Sequence, residues 1–499
     1  MNNVKIFTLL TIFVPIIGAF TIPILSFSPN FKTLSKYWAC VIAFFTALLP
    51  FFLIPYILSG SQLIFGKHLY FGINFTLNVD ALSVFVSMVS SVISACIVLY
   101  SLHYIKETDN QSEYYFMVLL FIGAMMGLVY SANLIFLYVF WEIAGICSWR
   151  LIGFYRTKEF IIKADKAFLM TFLGAVLMLI GFLQIYHTAH TFDITKMKGT
   201  EIPISAVLLI LAGMFSKSAT FPLHSWLPDA GIAPSTVTAL LHAAVLVKIG
   251  VYVFSRLFCD TFVLPHISYP TIAIIAVFSS LVAAGAAAVD YDMKRILAYS
   301  TISQIGYIFL GFSVMNPLGF AGATFYILAH GVSKAGLFLG AGIIEHNTHT
   351  RDIRKLGGLI KQMPLTAIAF LMCAFATIGL PPFSGFFAKF MVIMGAVKAG
   401  ETGIAALALF IALLTMFYLF RLFSSIFLGK PKQDMNLPVV KERSPLMVAT
   451  IIIFACFAFF TGIFVKYPMK IVNSATYAMV HINNIKGNTL TKITGLADK

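Results

Sequence analysis

The sequence predicts an all-α polytopic membrane protein, and three observations carry that reading. Of 499 residues, 60% are hydrophobic and only 11% charged, with 50 phenylalanines and a mean hydropathy of +0.93. A soluble chain of this length needs far more polar surface to cover itself. Apolar runs of about 20 residues, the length that crosses ~30 Å of hydrocarbon, recur from end to end. Two of the later runs are expected to break at proline, Pro222 in one and Pro381-Pro382 in the other. The short alternating segments of a membrane β-barrel do not appear.

Dividing the apolar runs at their polar punctuation gives about fourteen transmembrane helices. They centre near residues 16, 47, 93, 121, 143, 175, 215, 246, 279, 304, 331, 381, 416 and 456. The first, KIFTLLTIFVPIIGAFTIPILSF, is too long for a signal peptide and lacks a small-residue cleavage site, so it is expected to stay. Residues 1–112 hold spans one to three. Residues 113–258 and 266–428 hold five spans each, and 429–470 hold a connecting loop and the last span. The segment 471–499 is a polar C-terminal tail, expected to be loosely ordered and without function.

The formal net charge of +15 suggests nucleic acid until its distribution is read. Loops that follow odd-numbered spans carry 19 of the 34 Lys and Arg residues, among them Arg150, Arg156, Arg351 and Arg354; even-numbered loops carry five. By the positive-inside rule the odd loops are cytoplasmic, so both termini are expected outside the cell's inner (plasma) membrane. Six scattered cysteines without a C-x-x-C pair exclude an iron–sulfur or zinc framework. No dinucleotide fingerprint and no Walker loop occur. No cofactor, no metal and no catalytic centre are therefore expected, and any work the chain does is driven by a gradient or a partner.

Five ionisable residues fall well inside predicted spans: Glu142, Lys217, Lys248, Lys334 and Lys389. Each costs roughly 2.5–3.5 kcal/mol to insert, so their retention calls for a reason. Lysines near a span end can snorkel to the interface, which is the bland alternative for Lys248 and Lys389. Glu142 lies ten positions into NLIFLYVFWEIAGICSWRLIGF, about 15 Å deep, beyond such reach. His242 and His330 join them at mid-depth. A lone histidine is usually a satisfied core residue, but here two spans each carry a His and a Lys. His330 and Lys334 share a face as i and i+4. His242 and Lys248 lie about 120° apart on an ideal helix. One buried carboxylate stands against four lysines, so some lysines are expected to be neutral part of the time, the condition for passing protons.

The two proline breaks fall in the seventh and twelfth spans, each within four to eight residues of Lys217 or Lys389. A plain kink is the simple alternative. However, a freed backbone carbonyl is tolerated in a bilayer only where protein or a wet cavity satisfies it. The offset of five spans is what two inverted five-helix repeats, helices four to eight and nine to thirteen, produce. Paired interrupted helices of this kind mark transport sites.

These residues are recognisable as a set. KSATFPLHSWLPDAGIAPSTVTALLHAA, KRILAYSTISQIGYI, HGVSKAGLFLGAGIIEHNTHTRDIRKLGGL and GLPPFSGFFAKF resemble the antiporter-like subunits shared by respiratory complex I (NADH-quinone oxidoreductase), group 4 membrane-bound hydrogenases and Mrp cation/proton antiporters. The resemblance covers roughly residues 75 to 430. It implies fourteen helices with helices seven and twelve broken, and a proton path. Glu142 then pairs with and tunes Lys217, His242 and Lys248 form the centre, His330 and Lys334 continue it, and Lys389 exchanges with the outside. Lys248 is typical of one paralogous type, whereas His242 and AGIIEHNTHTRDIRKLGGL are similar to another, so the paralogue stays open.

The resemblance also implies a translocating role beside other membrane subunits, further antiporter-like paralogues included, moving protons with sodium left open. Three alternatives stand beside it: a self-sufficient cation/proton antiporter, a membrane component of an inorganic-carbon uptake complex, and a structural anchor. The buried lysines argue against the anchor.

Overall fold

The computed structural model describes residues 1–27, 32–69, 74–429, 442 and 444–494, with side chains up to Val480 except those of 32 and 33. Among these, twelve helices are long and apolar enough to cross a membrane. They are α1 (Asn2–Ser26), α2 (Leu34–Leu58), α3 (Ala81–Tyr104), α4 (Gln111–Tyr130), α5 (Leu134–Ile152) and α6 (Lys158–Ala189). After the shorter α7 (Ile204–Lys217) come α8 (Ser235–Cys259), α9 (Ser268–Val289), α10 (Met293–Ser313) and α11 (Pro317–Thr348). The short pair α12 (Pro364–Ile378) and α13 (Ser384–Lys398) precedes α14 (Thr402–Phe427), α15 (Pro445–Ile463) and the final α16 (Lys466–Thr494).

Local chemistry sets the helix ends. Asp80 opens α3 with a capping box, accepting the Ser83 amide while the Ser83 hydroxyl accepts from the Asp80 amide. Asp292 caps α10 through the amides of Lys294 and Arg295, and Asn316 caps α11 through the Gly319 amide. Pro317 and Pro364 sit in the first turns of α11 and α12, where a missing N–H costs nothing.

The helices sort into an inner set and an outer ring. The apolar windows of α8 and α11 are 100% buried and that of α10 94%, whereas those of α1 and α6 are 39% and that of α14 33% buried. The polar side chains of α8, α10 and α11 therefore face protein, and this places the ionisable residues in a packed interior. Charged clamps tie the inner helices together at both ends. At one end Arg256 of α8 reaches Asp80 at 2.5 Å and Asp260 at 2.8 Å. At the other, Lys294 of α10 meets Glu345 of α11 at 2.6 Å, and Asp229 is held between Lys166 of α6 (2.6 Å) and Arg295 of α10 (3.3 Å).

Three features depart from the sequence reading. Residues 63–79, read as part of a loop, contain an antiparallel hairpin of β1 (Leu63–His68) and β2 (Asn74–Val79), with Leu63 opposite Val79. The tail expected to be loosely ordered continues as α16 to Thr494. Ile471, Val472, Ala475 and Met479 give that helix one buried face, packed on α3 and α11. Within α8, a π-helical turn at Leu240–Ala244, which contains His242, and the non-helical Val245 (φ −124°, ψ −74°) interrupt the regular helix between His242 and Lys248. The 120° ideal-helix offset therefore does not apply. Most of the connecting loop before the last helix, 430–441 and 443, lies outside the described residues.

Candidate functional site

Lys217 ends α7, and the chain then breaks through Phe221-Pro222 before a short helical turn at Trp226–Asp229. Its Nζ lies 5.3 Å from the Trp141 ring centroid, a cation–π contact from α5. One turn along α5, Gly145 leaves room: a Cβ there would stand 3.0 Å from Lys217 Nζ and 3.6 Å from Glu142 Oε2. Glu142 and Lys217 thus border one space, but among the described residues no carboxylate comes within 4 Å of Lys217. Glu142 is partly exposed, yet its Oε1 is enclosed and has no hydrogen-bond partner.

The centre is built where α8 and α11 cross. Lys248 Nζ and His330 Nδ1 are 2.7 Å apart, both groups fully enclosed. This is the one hydrogen bond that joins two of the seven residues singled out from sequence. His242 takes a different neighbour: its ring stacks on Phe338 at 4.3 Å, and neither ring nitrogen has a hydrogen-bond partner among the described residues. Residues 330 and 338 are eight apart on α11, about 12 Å of helix, so the His and Lys of α8 occupy separate levels of the interior.

Below this centre lies a hydrogen-bonded network that the sequence reading missed. Lys334 donates to the Ser300 hydroxyl at 2.5 Å, and the Tyr418 hydroxyl donates to the same oxygen at 2.8 Å. Gln304 donates toward Tyr418 at 3.4 Å and accepts from Tyr326 at 2.6 Å, whose ring packs edge-on against His330. Three helices, α10, α11 and α14, therefore join Lys334 to the His330 side through neutral hydroxyl and amide groups. Ser300 and Gln304 stand in the stretch KRILAYSTISQIGYI, but nothing in their side-chain type distinguishes them from ordinary buried polar residues.

Lys389 sits at the second break. Its Nζ donates to the carbonyls of Thr377 at 2.9 Å and Ile378 at 3.1 Å and lies 4.9 Å from the Tyr307 ring. Those carbonyls are the unpaired end of α12, which closes at Gly379 in the left-handed conformation (φ +90°). A cation is favoured at such an end. Both breaks thus leave a lysine against an aromatic ring and beside an interrupted backbone.

All four lysines are at most 4% exposed, and none has a carboxylate within 4 Å among the described residues. No group of His, Cys, Asp and Glu among the described residues could hold a metal ion. The arrangement suits proton exchange between nitrogen bases and hydroxyls better than cation coordination by carboxylates.

Comparison with known proteins gives this geometry its family. The model described as "NADH:quinone oxidoreductase/Mrp antiporter, TM" matches residues 131–415, a stretch that contains all seven residues. A second, "NADH-Ubiquinone oxidoreductase (complex I), chain 5 N-terminus", matches residues 68–116. NADH-quinone oxidoreductase subunit L of Campylobacter jejuni is 36% identical over 395 residues, covering 76% of this chain and 65% of that protein. The A-type component of the Na(+)/H(+) antiporter of Alkalihalophilus pseudofirmus is 36% identical over 432 residues, covering 79% and 53%. The chain thus spans between half and two thirds of the length of these relatives. Its fold is that of a chain in the Mrp complex from Dietzia sp. DQ12-45-1b, with a TM-score of 0.85 at 22% identity over 96% of this chain and 99% of that one. A chain of an archaeal membrane-bound sulfane sulfur reductase superposes equally well, with a TM-score of 0.85 at 23% identity over 96% and 98%. With a family model running over more than half of its length, the chain belongs to the NADH:quinone oxidoreductase/Mrp antiporter membrane family.

Proposed function

We propose that this antiporter-like subunit moves protons along Glu142, Lys217, His242, Lys248, His330, Lys334 and Lys389, within a multisubunit complex of the plasma membrane. The observation that carries the reading is the enclosed Lys248–His330 contact at 2.7 Å: two nitrogen bases share one hydrogen bond with no anion beside them. One of the two must accept, so the pair is most stable with a proton fewer than its full complement, the state from which a proton can be taken up. Sodium as a second transported ion fits this lining less well, since sodium prefers oxygen ligands.

In this reading α7 with the turn after it, and α12 with α13, each complete one span, for fourteen in all. Helices four to eight (113–258) and nine to thirteen (266–428) are inverted repeats, which makes Lys217 and Lys389 counterparts opening to opposite sides. Both termini face outside. The partners are other membrane subunits, paralogues of this chain among them. The relatives carry subunit names from quinone reductases and antiporters, which favours these over a carbon-uptake role or a self-sufficient transporter.

The test is proton movement in inverted membrane vesicles that hold the whole complex, followed by quenching of a pH-sensitive dye. Lys248→Ala and His330→Ala should each reduce it at least tenfold with the subunits still co-purifying. Wild-type quenching in both variants would remove the central pair from the path.

A further inference from the structure

On the face that carries the arginine-rich loops, the ends of α9 and α14 and the segment after α11 enclose a cavity of about 280 Å³. Tyr291, Arg354, Arg421, Ser424, Ser425 and Gly429 line it. Two guanidinium groups lie over the Tyr291 ring, Arg354 at 4.5 Å and Arg421 at 5.1 Å from its centroid. Their charges are balanced differently. Arg354 is ion-paired with Asp352 at 2.8 Å. Arg421 is fixed instead by backbone, donating to the carbonyls of Ala288 and Asp290, and among the described residues no carboxylate lies within 4 Å of it. A guanidinium has five N–H donors, so an oriented cation with donors to spare, and with no carboxylate partner among the described residues, borders the cavity beside the Ser425 hydroxyl.

The surroundings say what kind of anion reaches it. The cavity lies in the last turn of α14 and just past the end of α9, at the level where helices leave the hydrocarbon. Directly beneath it both helices turn apolar side chains outward: Val289 is 71% exposed, Phe417 59% and Phe420 40%. A free anion needs no such surface, whereas a lipid with its phosphate in the cavity lays its chains along it. We propose that this cavity binds the phosphate of an anionic phospholipid, with Arg421 as the principal cation and Ser425 as a hydroxyl donor, the Ser424 hydroxyl being engaged with the Arg421 carbonyl. Basic pockets between membrane helices recognise head groups in this way. The bound lipid ties α9 to α14 and to the segment that carries Arg354.

The purified complex, stripped of loosely held lipid by detergent washing, is followed by thermal unfolding. Phosphatidylglycerol, phosphatidylcholine or inorganic phosphate is added to separate samples. Phosphatidylglycerol should raise the unfolding midpoint of the wild type, and the other two should not. Ser425→Glu sets a carboxylate in the cavity without touching the backbone bonds of Arg421, and should weaken the phosphatidylglycerol response about fivefold or more. Arg421→Gln should do the same if it assembles. An equal response to phosphatidylcholine, or an undiminished response in Ser425→Glu, would overturn the site. Equal protection by inorganic phosphate would overturn the lipid and leave a site for the free anion.

Discussion

At the scale of single residues, the hydroxyl of Ser300 is the most informative. It accepts from both Lys334 and Tyr418, so Ser300→Ala would leave the enclosed Tyr418 hydroxyl without its acceptor, at about 1–3 kcal/mol, and Lys334 with only its bond to the Leu297 carbonyl. If the network carries protons between Lys334 and the His330 side, that variant should slow proton movement about tenfold, and Ser300→Thr should restore most of it. A variant that assembles and transports normally would reduce Ser300 to a packing residue. The four lysines and two histidines stood out in the sequence because such groups within twenty apolar residues have no cheap explanation, and the structure encloses all six. Ser300, Gln304, Tyr326 and Tyr418 did not, because hydroxyls and amides are common in helix interiors and only the fold shows which of them meet. The sequence also suggested that Glu142 and Lys217 pair, whereas in the structure they flank a shared space at Gly145 without touching. Glu142→Gln should therefore impair transport through the loss of a charge near Lys217, with little effect on assembly. A steep loss of assembled complex in Glu142→Gln would argue for a structural bond instead.

At the scale of elements, the two breaks were readable from proline beside a buried lysine, whereas Pro15 and Pro23 leave α1 unbroken; what each break does was not readable. Proline allows a helix to break; it does not say that the free carbonyls at the end of α12 accept from the lysine of α13. That bond gives two accounts of Lys389, a proton carrier or a tie between half-helices, and one substitution separates them. Lys389→Arg keeps a cation to donate to Thr377 and Ile378 but cannot release its proton at accessible pH. The carrier account expects no proton movement in Lys389→Arg and in Lys389→Met, with the arginine variant as thermally stable as the wild type. Transport at the wild-type rate in Lys389→Arg would leave only the tie. The clamp at the end of α8 makes a different kind of prediction. Burial alone would push the Asp80 carboxyl up, but the Arg256 charge and its hydrogen bonds outweigh burial and hold it at about 2. A carboxylate whose folded value is depressed stabilises the fold above its unfolded value near 4 and loses that contribution as pH falls toward 2. The shift from 3.8 corresponds to about 2 kcal/mol. The unfolding midpoint should drop between pH 5 and pH 3, and the drop should be smaller in Asp80→Asn. An identical drop in Asp80→Asn would show that other carboxylates govern it.

At the scale of the whole molecule, the sequence conveyed the membrane architecture because hydropathy is a sum over twenty residues and tolerates local errors. The hairpin at 63–79 and the helix after Lys466 escaped it for the opposite reason: each is short or polar, and tertiary packing rather than composition gives it shape. Orientation is the property that joins these levels, since the path has a direction only if the two breaks open to different sides. Arg351, Arg354, Lys355 and Lys361 crowd the segment between α11 and α12, and Lys398 ends α13, which on the proposed topology is the other side of one broken span. Arg354 lies at the surface, 61% exposed, so neighbouring positions are open to reagents. The proposed orientation, drawn from the positive-inside rule, puts residue 355 in the cytoplasm and residue 398 outside. A single cysteine at position 355, in a chain whose native cysteines are replaced, should react with a membrane-impermeant maleimide only in inverted vesicles. One at position 398 should react only in intact cells. Labelling of both from one side would mean that α12 and α13 turn back without crossing, and the opposite openings of Lys217 and Lys389 would fall with it. Labelling with the sides exchanged would keep the broken span but reverse the direction of the path.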